Sequence, residues 1–172
     1  MINFIILLCV FFSSHISAKT EVLNLSTTID INQIYSDSIA SASFIPNELV
    51  LTPTEDNQKF ESVSSNLNIE TTIPKGVSAV SYLSTLTKNE AVCITNGGES
   101  LVQNGFVTID FDGTELVVND SVSLNDFNSN DGTNKSSSHA VTFDFKRFDE
   151  ITLPGTAETC SGEIEFNVMV DI

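Results

Sequence analysis

From Leu23 to the end of the chain one pattern keeps returning, an apolar side chain at every second position. In Glu21-Val22-Leu23-Asn24-Leu25-Ser26-Thr27-Thr28-Ile29-Asp30-Ile31, positions 23, 25, 27, 29 and 31 form one largely apolar face. Successive side chains leave a strand on opposite sides, so a period of two predicts a strand buried on one face. The pattern recurs over His139 to Phe145 and over Ile164 to Ile172, and in shorter patches at Leu49 to Leu51, Leu67 to Ile69 and Val80 to Leu83. Pro46, Pro53 and Pro74 fall between patches, where they set strand ends, because proline has no N–H for a central ladder.

The sharpest local feature is Phe106 to Val118, two β-rich runs on either side of Asp112-Gly113. That dipeptide predicts a two-residue hairpin, since glycine accepts the positive φ the turn demands. Asn125 to Ser138 is rich in Asn, Asp and Ser and reads as a loop too poor in apolar residues to pack. Only Thr54 to Ser62 and Thr87 to Val92 suit short helical turns. Strands at regular spacing, with no internal repeat and no interdomain linker, predict a single all-β sandwich.

Ahead of this domain, Ile5-Ile6-Leu7-Leu8-Cys9-Val10-Phe11-Phe12 is an apolar run too short to span a bilayer, followed by Ser13, Ser14 and Ser17. It predicts a secretory signal peptide over residues 1–18, cleaved after Ala18. Cys9 lies inside the apolar run with Leu8 before it, which argues against a lipoprotein. Removing the signal from 172 residues leaves enough chain for one core and no further membrane-spanning stretch. All 7 basic and 23 acidic residues lie beyond it, for a net charge of −16. That charge disfavours nucleic acid and anionic membranes as partners.

Export leaves Cys93 and Cys160, an even pair in an oxidising compartment, which predicts one disulfide. Two isolated cysteines are too few ligands for a metal.

Catalytic chemistry finds no foothold. His139 is the one histidine beyond the signal, no Gly-x-Ser-x-Gly motif accompanies it, and its place at a strand start predicts a solvent-facing side chain. Asp110 and Asp112 share a strand face among many carboxylates. The loop Asp126 to Gly132 has alternating oxygen ligands but misses the EF-hand positions of glycine and of the closing glutamate. The chain is therefore expected to be no enzyme and to carry no cofactor and no dedicated metal site.

The order of segments resembles a known family. An alternating N-terminal strand comes first, then Leu49 to Phe60 with its Pro53, the hairpin on Ile109-Asp110-Phe111-Asp112-Gly113, the Ser136-Ser137-Ser138 lead into a strand, and Ser161-Gly162 before a closing alternating strand. This order is similar to that of the major pilin subunits of alpha-type fimbriae, the colonisation-factor pili of the alternate chaperone–usher pathway. The resemblance implies an immunoglobulin-like β-sandwich, incomplete by one strand and completed by a donor strand from a neighbouring subunit. It assigns residues 19–32 to a donor-strand extension and 33–172 to the pilin domain. Leu23, Leu25, Thr27, Ile29 and Ile31 would be the inserted face. The implied partners are other copies of the chain, a periplasmic chaperone, an outer-membrane usher and a tip adhesin, with the fibre at the cell surface. The pair Cys93 and Cys160 departs from that family, whose members do not depend on a cystine. Alternation looks the same in cis and in trans, so Leu23 to Ile31 also fits the first strand of a self-complete sandwich. A soluble secreted module binding calcium or a glycan is the alternative function on that reading.

Overall fold

The computed structural model describes residues 34–152 and 157–171. The segment expected to be a signal peptide and the five positions expected to form a donor face, Leu23, Leu25, Thr27, Ile29 and Ile31, lie outside the described residues. What is described is almost wholly β: β1 (Ile39–Ile45), β2 (Val63–Pro74), β3 (Tyr82–Thr95), β4 (Ser100–Val102), β5 (Val107–Phe111), β6 (Thr114–Leu116), β7 (Ser121–Leu124), β8 (Ser129–Asn130), β9 (Asn134–Phe145) and β10 (Ala157–Val170). One short 3-10 turn, Phe148–Glu150, is the only helical element of more than one residue among them.

Two antiparallel sheets form the sandwich. One runs β1-β2-β9-β5-β6, with β8 also on β9, and the other runs β10-β3-β4, with β7 also on β3. The expected alternation sets the inner faces. Leu67, Ile69 and Ile73 of β2, Val107, Ile109 and Phe111 of β5, and Val141 and Phe143 of β9 meet Tyr82 and Leu86 of β3 and Val170 of β10. Each such aliphatic or aromatic side chain contributes about 1.5–3 kcal/mol on leaving water.

The Asp112-Gly113 hairpin forms as expected, joining β5 to β6 with φ of +48° and +86° at its two central residues. Pro46 follows β1 directly and Pro74 closes β2. Pro53 lies outside the strands in an isolated bridge to Phe60.

Three segments expected as helical turns or loop need correction. Thr87 to Val92 is strand, not helical turn: Leu86 pairs with Phe166 and Lys88 with Glu165, so Thr87 is the extra residue of a β-bulge. The bulge moves the inward positions of β3 from Tyr82, Ser84 and Leu86 to Ala91, Cys93 and Thr95. Thr54 to Ser62 likewise makes a tight loop rather than a helix, closed by Thr54 N–H donating to the Lys59 carbonyl and Asn57 N–H to that of Thr54. Asn125 to Ser138 is largely paired, because β8 and the first half of β9 lie within it and Phe127 is buried there, stacked on Tyr82 with centroids 4.3 Å apart.

Cys93 and Cys160 are joined, directly across the β3–β10 ladder with Cα atoms 4.1 Å apart.

Candidate functional site

The strand order carries the first clue. In an immunoglobulin sandwich, strands A-B-E-D make one sheet and C-F-G the other. Here β1, β2, β9 and β5 stand as A, B, E and D, while β3 and β10 stand as C and F. None of the described residues occupies the G position beside β10. One edge of β10 pairs with β3 along its length, and the opposite edge has no strand partner among the described residues.

Beneath that edge the two sheets part into a groove of about 700 Å³. Phe44 of β1 with Asn47, Glu48, Leu49 and Leu51 of the following segment form one wall, Ser65 of β2 with Phe143 and Phe145 of β9 the floor, and Cys160, Ser161, Gly162 and Ile164 of β10 the other wall. Phe60 closes one end and makes an edge contact with Phe145, centroids 5.6 Å apart. Deeper in, Phe44 meets Phe166 across the sheets at 6.0 Å. Leu49 to Leu51, expected as a strand, instead runs as an unpaired wall, because Pro46 and Pro53 bracket it. A partly apolar channel under a sheet edge is the geometry of β-strand addition, in which the edge supplies main-chain donors and acceptors and the channel takes alternate side chains.

Gly162 sits in the β10 wall. A Cβ there would lie 2.8 Å from the Glu90 carbonyl oxygen, so only glycine lets β10 approach β3 this closely. Its neighbour Cys160 is the exposed half of the disulfide and Cys93 the buried half, so the bridge anchors the groove's lip to the core.

A second polar constellation lies inside the sandwich. His139 falls in the middle of β9 and is 3% exposed, contrary to the expectation of a solvent-facing residue. Its Nδ1 lies 2.6 Å from Asp112 Oδ2 and its Nε2 2.6 Å from Tyr82 Oη. Tyr82 Oη also donates to Ser137 Oγ at 2.8 Å, and Asp112 Oδ1 accepts from the Ala140 N–H at 2.9 Å. Asp112 thus belongs to the turn and faces a histidine, rather than sharing a strand face with Asp110. Burial pushes the Tyr82 phenol up to about 12, against the opposing effect of its Ser137 bond. Tyr82 links Ser137 to His139, and Phe111 stacks over the imidazole with centroids 5.0 Å apart. This is a clasp between the sheets. The sequence did hold a clue to it, since Ser137, His139, Val141 and Phe143 follow one alternating face.

The carboxylates of the Asp126 to Gly132 loop are engaged by protein donors. Asp126 accepts from Lys135 Nζ at 2.8 Å and from the Ala79 N–H at 3.0 Å. Partial burial pushes its pKa up, but the Lys135 bond and the N–H groups of Ala79 and Phe127 outweigh it and hold the carboxyl below its usual value. Asp131 accepts from the N–H groups of Asn134 and Thr133, which lower it too.

No protein-family model matches this chain, and no curated protein matches its sequence.

Proposed function

We propose that the protein is a structural subunit of a surface fibre, a pilin that polymerises by donor-strand exchange. The observation that carries this reading is the edge of β10, without a strand partner among the described residues, lying over a groove in which phenylalanine and leucine side chains stand beside the polar Asn47, Glu48, Ser65 and Ser161. The segment Leu23 to Ile31 has the complementary pattern, with Leu23, Leu25, Thr27, Ile29 and Ile31 on one face. Inserted beside β10 in a neighbouring copy, it would supply the G strand and cover the groove. An open edge above exposed apolar side chains invites aggregation, which calls for a periplasmic chaperone before an usher releases the subunit to the fibre. The fibre would serve adhesion at the cell surface, with the tip adhesin as a separate protein. The calcium- or glycan-binding alternative has less support, because Asp126 and Asp131 are already engaged by Lys135 and by the backbone N–H groups of Ala79, Phe127, Thr133 and Asn134.

The test compares the exported full chain with its Leu25→Asp and Ile29→Asp variants. Assembly of the parent into heat-labile polymers visible by electron microscopy, and its loss in both variants with the disulfide still formed, is the expected result. Polymers of unchanged length in both variants would overturn the proposal.

A further inference from the structure

The chain enters the described body at a telling place. Ile39 pairs with Thr71, Ser38 accepts from the Thr72 N–H at 2.9 Å, and Tyr35 packs against the core. The strand that holds them, β2, ends at Pro74, and the next one begins at Tyr82, opposite Val170. Asp171 N–H donates to the Ser81 carbonyl at 3.0 Å. The entry to β1 therefore lies at the end of the sandwich where β10 finishes. The exit of β1 lies at the other end, where Pro46 to Leu49 face Cys160, Ser161, Gly162 and Ile164 across the groove.

On the pilin reading, we infer that Leu23 to Ile31 also fits the groove of its own chain, lying parallel to β10, so that a subunit without a partner is closed by its own donor segment. Length decides the direction. Residues 34–38 are taken up in a turn closed by Ser38 N–H donating to the Tyr35 carbonyl at 3.0 Å, so three residue steps separate Ile31 from the fixed body. Three steps reach about 10–11 Å. That matches the spacing of about 10 Å between packed sheets, so Ile31 reaches the edge of β10 near Val170. From there nine residues running back toward Leu23 cover about 30 Å, enough to follow β10 to Gly162. The opposite direction would put Ile31 beside Gly162, a further 26 Å or so along the strand, beyond the tether's reach. A segment given by a second copy has no such tether. Strand direction therefore separates closure in cis from exchange in trans.

Two double variants of the exported full chain read that direction. Asp30 alternates with Ile29 and Ile31 and so would face outward when they face the groove, and Met169 and Glu163 lie on the outward face near the end and the middle of β10, beside Val170 and Gly162, with Met169 47% exposed. Dilute, freshly purified D30C/M169C monomer is expected to lose both introduced thiols to one disulfide within a single chain, found by non-reducing peptide mapping with Cys93–Cys160 intact. D30C/E163C monomer is expected to keep both thiols free. An intrachain link in D30C/E163C, or free thiols in both monomers, overturns closure in cis. Links found only between chains overturn it as well but leave strand exchange standing. Free thiols throughout, in a chain that never assembles, count against both.

Discussion

Tyr82 Oη and His139 Nε2 meet at 2.6 Å between the two sheets, with the tyrosine fully buried and the histidine nearly so. One hydrogen-bond chain, Asp112 to His139 to Tyr82 to Ser137, thereby ties a turn, two inner faces and the base of a loop together. Every member has a partner, the condition under which a buried polar network rigidifies a core instead of weakening it.

Replacing Tyr82 with Phe removes the central oxygen and leaves His139 Nε2 and Ser137 Oγ short of a partner. The expected loss is about 1–3 kcal/mol, read as a lower denaturant midpoint at unchanged slope. The parent has a second signature. An unfolded phenol ionises near pH 10 and this one only near 12, so the fold favours the neutral form. That stabilisation is complete below pH 10 and is lost as pH rises from 10 to about 12. An ultraviolet titration should show a late tyrosinate step in the parent that is missing in Tyr82→Phe.

Joint replacement of Cys93 and Cys160 by Ser opens a loop with a sequence separation of 67. Chain entropy sets the expected loss at about 4 kcal/mol or less. Urea unfolding of the oxidised parent against the double variant measures it, and identical midpoints would contradict it.

The Asp126–Lys135 pair should show in acid. Its carboxyl is held below the ordinary value of 3.8, so the ionised form is favoured by folding. The contribution is complete above that ordinary value and disappears as pH falls through the lowered one. Melting temperature plotted against pH should fall more steeply below pH 4 in the parent than in Asp126→Asn, which lacks the titrating group.

Gly162→Ala drives a methyl toward the Glu90 carbonyl, which is backbone and gives way only if β3 and β10 shift. A loss of about 1–3 kcal/mol is expected by denaturant unfolding. An unchanged midpoint would mean that the ladder relaxes there without cost.

Much of this architecture is legible in the sequence. Alternation around Leu67 and along Val107 to Phe111 gives strands and their inward faces, Asp112-Gly113 gives the hairpin, and the even cysteine pair gives the bridge. What escaped reading failed for physical reasons. His139 reads as solvent-facing because its polarity masks an inward position, and only the distant partners Tyr82 and Asp112 make that position tolerable. Phe127 sits among Asn, Asp and Ser, and nothing local says that Tyr82 lies ready to stack on it. The bulge at Thr87 breaks the alternation of β3 into two phases, each too short to declare itself. The groove is the least legible part, since Phe44, Phe60, Phe145 and Ile164 come from four distant segments that only the sandwich brings together.

The bridge between Cys93 and Cys160 also sets how the molecule answers a pull on its ends. Force applied through the termini passes across the covalent link between β3 and β10, so the intervening chain, a separation of 67 residues, bears no load. At about 3.3–3.6 Å per residue, that removes roughly 220–240 Å from the length the chain can release when stretched. Reduction of one bond would restore that hidden length, turning a short, stiff link into a long, compliant one.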